Sequence, residues 1–151
     1  MTVIAFDGKT LAADKRALNN GFASTVTKIG RTAPFGGDVV AWAVSGNLAR
    51  GIAMKDWWLA GAKTDQFPAE GKDDWACFSL FGVSSGVPFV RLYESRKDFF
   101  DIETVPWAKG SGRDFALMAM RLGKTAEEAV RLTCELTVEC GNGVDVIQVV
   151  P

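Results

Sequence analysis

Histidine is absent from the 151 residues, and that absence decides which chemistry stays open. Without an imidazole there is no Ser-His-Asp or Cys-His nucleophile and no His-ligated metal. An enzyme built from this chain must take its base from a lysine of depressed pKa, a carboxylate pair or a free terminal α-amine. Residues of suitable type stand at five places: Thr2, Asp14-Lys15-Arg16, Lys28, Ser45-Gly46 and Gly110-Ser111-Gly112. Taken singly, each fits a plainer role, since ionic strand ends are mostly solvated and Gly-Ser-Gly before a helix is commonly only a turn and cap. A terminal amine titrates near about 7.7–8.0 and a lysine near about 10.4, so a free α-amine is the better base at neutral pH.

Composition narrows the setting of that chemistry. Hydrophobic residues make up 48% and charged residues 23%, as in a soluble globular domain, and 151 residues suit a single domain spanning 1–151. A formal net charge of -1 supplies no electrostatic reason to expect nucleic acid or an anionic membrane as partner. No apolar run approaches the roughly 18–20 residues that span a bilayer, and no export signal opens the chain. Cys77, Cys134 and Cys140 are odd in number and lack CxxC spacing, which speaks against a disulfide framework or a zinc site. A reducing, cytoplasmic compartment is expected, with no cofactor.

The elements that must position these residues follow from local pattern. Residues 2–6 and 9–14 read as two apolar strands around an Asp7-Gly8 hairpin turn, buried on both faces. Strands are expected over 23–29 and 39–44, with a loop over 30–38 between them. Asn47 suits an N-cap for a helix to about Ala62, packing through Leu48, Ala49, Ile52, Ala53, Leu59 and Ala60. Residues 66–74 form a loop, 75–83 and 88–93 a hairpin, and 99–104 another strand. Phe115, Met118, Ala119 and Leu122 sit at helical spacing after Gly112. Thr125 with Glu128 makes a capping box for a last helix to about Glu139, burying Ala129, Leu132 and Leu136. A strand over 144–149 closes the chain. Hairpin-linked strands that outnumber helices predict two packed antiparallel sheets with helices on their outer faces.

In this order the motifs resemble the catalytic β-subunit of the proteasome and its smaller bacterial relatives such as HslV, of a bacterial or phage type. The resemblance is carried by Thr-Val-Ile-Ala-Phe, Leu-Ala-Ala-Asp-Lys-Arg, Thr-Val-Thr-Lys-Ile, Val-Ser-Gly-Asn-Leu-Ala and Gly-Ser-Gly-Arg-Asp-Phe-Ala-Leu, then a helix opening Thr-Ala-Glu-Glu-Ala. It implies an α+β fold, the four-layer αββα sandwich of N-terminal nucleophile hydrolases.

The resemblance also implies roles. Thr2 becomes the attacking residue once Met1 is removed, and a second residue as small as threonine favours that removal. Asp14 holds Lys28, whose ammonium lowers the pKa of the Thr2 hydroxyl. Ser111 bonds the terminal amine, and the Ser45-Gly46 turn supplies an oxyanion N–H. Ala43 lines the pocket for the side chain before the cut, and Arg16 keeps a structural role. Thr137 and Cys140 replace the Asp and Ser that the family places after its last long helix. Without a histidine partner, Cys140 is a poor rival nucleophile. Trp42 and Trp75 are expected in the core, and one of Trp57 and Trp58 at a subunit contact.

The activity implied is that of a threonine-type endopeptidase in a homo-oligomeric ring, or double ring, acting on peptides or unfolded protein. No ATP-binding motif is present, so an ATPase unfoldase would be a separate chain. Two alternatives stand beside it: a catalytically inactive ring or scaffold homologue that keeps Met1, and an amidase acting on non-peptide amides.

Overall fold

The structure is a computed structural model that describes residues 2–32, 37–69, 71–72 and 74–150. Met1, residues 33–36 of the expected loop, Glu70 and Asp73 of the polar stretch, and Pro151 lie outside the described residues.

Two antiparallel sheets make the middle of the molecule. The first orders β10 (Trp107–Lys109), β1 (Ile4–Phe6), β2 (Thr10–Asp14) and β11 (Val144–Gln148). The second orders β5 (Ile29–Arg31), β6 (Val39–Gly46), β7 (Ala76–Ser84), β8 (Val87–Glu94) and β9 (Phe100–Ile102). Strand alternation sorts the side chains into layers. Ile4, Phe6, Leu11 and Ala13 face Ala41, Ala43, Phe81 and Val90 of the other sheet. Val3, Ala5 and Ala12 instead face the helices α2 (Arg113–Arg121) and α3 (Ala126–Leu136). On the far side Val44, Phe78 and Leu80 meet Met54 and Trp57 of α1 (Leu48–Leu59). The result is the αββα sandwich expected from the sequence, and β1 and β2 are indeed buried on both faces.

Several local signals act as their chemistry dictates. Asn47 Oδ1 accepts from Arg50 N at 2.9 Å and caps α1, and Thr125 and Glu128 form the reciprocal capping box of α3. Asp7 shapes the first hairpin through its side chain, accepting from Lys9 N and Thr10 N. The two residues at the tip are Gly8 and Lys9 rather than Asp7 and Gly8, and Gly8 takes the positive φ. The other carboxylate oxygen of Asp7 accepts from Ala126 N, so the hairpin tip also holds the start of α3.

Other expectations are corrected. The strand expected over 23–29 is two elements: β4 (Phe22–Thr25), paired with β3 (Arg16–Asn19), and β5 beyond it. Asn20 and Gly21 join β3 to β4, both with positive φ, which is the Asn-Gly hairpin chemistry. Strand β10 has no counterpart among the expected elements. The inner faces of the first two helices are rotated from the spacing expected, and the last buries Ala129 as expected but not Leu132 or Leu136. Helix α1 buries Arg50, Gly51, Met54 and Trp57, because Gly51 lets the helix sit against Val44 and Arg50 satisfies its buried guanidinium on Ser95, Pro68 O and Ala69 O. Asp56, which conflicts with the expected face, is exposed. Helices α2 and α3 bury Ala116, Met120, Ala126, Ala129, Val130 and Thr133, and leave Phe115, Met118, Leu122, Leu132 and Leu136 outside. Trp57 is buried with its Nε1 donating to Lys63 O, and Trp58 is half-buried beside Phe78.

Candidate active site

The polar residues singled out in sequence converge at one end of the sandwich, where strands of both sheets stop. Asp14 ends β2 with no exposed surface, and its carboxylate is fully engaged. Its Oδ1 accepts from Val3 N at 3.0 Å and lies 2.8 Å from Lys28 Nζ. Its Oδ2 accepts from Arg16 N at 3.2 Å and Gly141 N at 3.1 Å. A buried carboxylate is tolerated only with such a set of donors. Because Asp14 N also donates to Val3 O, the residue after Thr2 is gripped from both sides. Lys28 is only 3% exposed, and its carbonyl accepts from Val44 N, so the chain before β5 is tied to the end of β6.

Thr2 is 6% exposed and held by the loop before α2. Its N–H donates to Ser111 Oγ at 3.4 Å, and its carbonyl accepts from Gly112 N at 3.2 Å. Gly110 is required there: its φ is +97°, and a Cβ would collide with Thr2 O. Across from Thr2, Gly46 turns β6 toward α1 with a φ of +82°, and a Cβ would stand 2.7 Å from Trp75 O. Ser45 shares the inward face of Ala43, opposite Cys77 of β7. Among the described residues nothing hydrogen-bonds the Ser45 hydroxyl, although the residue is only 5% exposed.

Two clefts meet at Thr2, Ser45 and Gly46. One, of about 380 Å³, is walled by Ala17, Leu18, Val26, Lys28 and Leu48. The other, of about 320 Å³, is walled by Trp75, Lys109, Gly110, Ser111 and Arg113. Thr2, Asp14, Lys28, Ser45, Gly46 and Ser111 are thus brought together. Ala43 is placed elsewhere: it is wholly buried between the sheets and walls neither cleft. Larger hollows, of about 510 and 520 Å³, do not touch Thr2.

The loop after α3 completes the support. Arg16 Nε donates to Asn142 Oδ1 at 3.0 Å and its Nη1 to Val138 O at 2.5 Å, which holds the loop that presents Gly141 N to Asp14. Thr137 is spent locally, accepting from Glu139 N. Burial, reinforced by the charge of Asp14, pushes the Cys140 thiol up to about 12. Burial likewise raises Cys77 and, with Asp14, Cys134. None of the three thiols has the lowered pKa of a nucleophile.

Sequence reasoning missed Lys109, Arg113 and Trp75 as parts of this site. Trp75, expected in the core, is 48% exposed at a cleft wall; Trp42 is half-buried between Gly30 and Lys55. Only proximity in the fold marks these residues, so no local signal finds them. Among the described residues no group of three or more metal-ligating side chains occurs, and no helix is long and apolar enough to cross a membrane.

The sandwich with its cluster at the strand ends is a fold of the N-terminal nucleophile type. Among solved structures the chain is similar to Anbu (ancestral beta-subunit) from Yersinia bercovieri, at a TM-score of 0.71 and 14% identity over 97% of this chain and 80% of that one. It is similar to an Anbu (Gly-1) mutant from Hyphomicrobium sp. strain MC1, at a TM-score of 0.69 and 14% identity over 98% of this chain and 81% of that one. These matches correct the resemblance to the proteasomal β-subunit and HslV: both of these similar structures are Anbu proteins, and at such identity the likeness is one of fold. No family model matches the chain, and no curated protein does.

Proposed function

We propose that the chain is an amide hydrolase of the threonine type, in which Thr2 attacks with its own α-amine as the base after Met1 is removed. The observation that carries the reading is the pairing of a Thr2 nitrogen held by Ser111 with a buried pair between Asp14 at the end of β2 and Lys28 just before β5. The α-amine takes the proton of Thr2 Oγ as the oxygen bonds to the scissile carbonyl carbon. Lys28 favours the developing alkoxide, and Asp14 holds the ammonium in register. A backbone N–H of the Ser45-Gly46 turn faces the oxyanion. Collapse of the tetrahedral intermediate breaks the C–N bond, and the amine's proton passes to the leaving nitrogen. Water then hydrolyses the ester on Thr2, returning the free hydroxyl.

Peptides are the proposed substrates, since two clefts run away from one nucleophile and give room for chain on both sides of a cut. Self-association into a ring is part of the proposal: the apolar residues Phe115, Met118, Leu122, Leu136 and Val138 are exposed around the outer helices, and such patches mark contacts. Protein beginning at Thr2 should cleave small fluorogenic peptides, and Thr2→Ala should abolish the cleavage. Cleavage that survives Thr2→Ala would sink the assignment.

A further inference from the structure

If Thr2 acts with its own amine, the leaving nitrogen has a defined side. The proton taken from Thr2 Oγ must pass from the Thr2 nitrogen to that leaving nitrogen, so the departing half must lie within reach of the amine. Ser111 Oγ stands 3.4 Å from that nitrogen, and Ser111 walls only the cleft of about 320 Å³. That cleft therefore receives the amine half of the substrate.

Among the described residues its walls carry two cations, Lys109 and Arg113, and no carboxylate. Each cation has a partner outside the cleft. Lys109 Nζ lies 2.9 Å from Glu94 Oε1, and Arg113 Nε lies 3.4 Å from the exposed Asp114 Oδ1. Glu94 fixes where Lys109 sits, and the ammonium also stands 5.6 Å from the Trp75 ring centroid. The Asp114 contact is long and lies in solvent, so it competes weakly for Arg113. The third polar group is the Ser45 hydroxyl, buried and with no hydrogen-bond partner among the described residues, on a face turned toward the sheet that carries Lys109. An unpaired buried hydroxyl is costly unless a bound group satisfies it.

We infer that this cleft is a carboxylate subsite, selecting substrates with an anionic group within one residue of the scissile nitrogen. Arg113 and Lys109 face the carboxylate, Trp75 covers the residue's aliphatic part, and Ser45 supplies a hydrogen bond to the bound backbone. Two sources offer that chemistry: an Asp or Glu side chain just after the cut, or the terminal carboxylate of a one-residue leaving group.

The inference rests on the hydrolase reading, but a binding measurement separates the two. Ligands modelling the amine half are titrated into the intact chain, following the Trp75 indole NMR signal assigned with Trp75→Phe. Glu-Ala-amide against its neutral isostere Gln-Ala-amide tests the side chain, and free Ala against its neutral isostere Ala-amide tests the terminal source. An acidic ligand should bind about five- to tenfold more tightly than its isostere at low salt, the gap narrowing as salt rises. Arg113→Gln, at an exposed position outside the core, should collapse the gap. Equal affinity within both pairs overturns the subsite, as does a gap that survives Arg113→Gln. The matching substrates are then offered to protein beginning at Thr2. Cleavage of neutral and acidic substrates at equal rates removes the subsite and leaves the hydrolase. No cleavage with a retained binding gap removes the hydrolase and leaves an anion-binding cleft.

Discussion

Two ion pairs in this molecule share their chemistry and differ in everything that surrounds them. Asp14 and Lys28 meet at 2.8 Å with side chains 0% and 3% exposed, and the carboxylate also receives three backbone N–H groups. Arg91 on β8 and Asp101 on the edge strand β9 meet at 2.7 Å, each substantially exposed, and among the described residues Asp101 has only the arginine. The exposed pair is the better formed by fork geometry, yet water screens it and either partner can turn to solvent. The buried pair cannot be dissolved without leaving a charge in the interior. A pair of that kind fixes position, and what it fixes is the residue following Thr2 and the ammonium beside it.

The comparison is broken most severely by Asp14→Ala. It takes the buried carboxylate from Lys28 and frees three N–H groups, so unfolding free energy should fall by about 3–5 kcal/mol in urea titration, with peptide cleavage lost as well. Gly110→Ala should come next, at about 2 kcal/mol or more, because the left-handed backbone is strained and the new Cβ meets Thr2 O. Thr125→Ala removes half of a capping box remote from Thr2 and should cost about 1 kcal/mol without touching cleavage. Arg91→Gln should be smallest, at most about 1 kcal/mol. If Arg91→Gln costs as much as Asp14→Ala, the contrast between the pairs is wrong.

Acid titration sharpens the same contrast. The Arg91 guanidinium lowers the Asp101 carboxyl below its ordinary value, so the folded state holds its proton less tightly than the unfolded chain. The stability this adds is present above the ordinary carboxylate range and is lost as pH falls through the folded value. The melting-temperature gap between wild type and Arg91→Gln should therefore close below about pH 4. At the alkaline end Cys140, raised to about 12, works in the opposite sense: the unfolded thiol ionises first, so stability falls as pH rises from about 9. Native protein should resist thiol alkylation at Cys140 until it is unfolded.

What could be read from the chain was what local chemistry announces. Asn47, Thr125 with Glu128, and the twice-buried β1 and β2 are signals carried by a few adjacent residues. Thr2, Asp14, Lys28, Ser45 and Ser111 carry no such local signal: each fits a plainer role taken singly, and only their order along the chain, through the resemblance, grouped them. The helix faces were not legible, because the inner face of α1 is built from Gly51 and a hydrogen-bonded Arg50, while α2 and α3 turn large apolar residues outward. Hydrophobic spacing does not distinguish a core from a contact surface. Asn20-Gly21 was a legible turn whose strands, β4 above all, are too exposed to show an apolar pattern. Trp75, Lys109 and Arg113 join the site only because β7, β10 and α2 end beside Thr2.

Everything proposed for this site depends on Thr2, with its amine free, being the group that reacts. Protein beginning at Thr2 should be incubated with a β-lactone electrophile, its intact mass measured, and the adduct located by peptide mapping. One adduct per chain, on Thr2 Oγ, absent from Thr2→Ala and from protein that keeps Met1, is the predicted result. An adduct on another residue, or equal labelling of Thr2→Ala, would contradict the account.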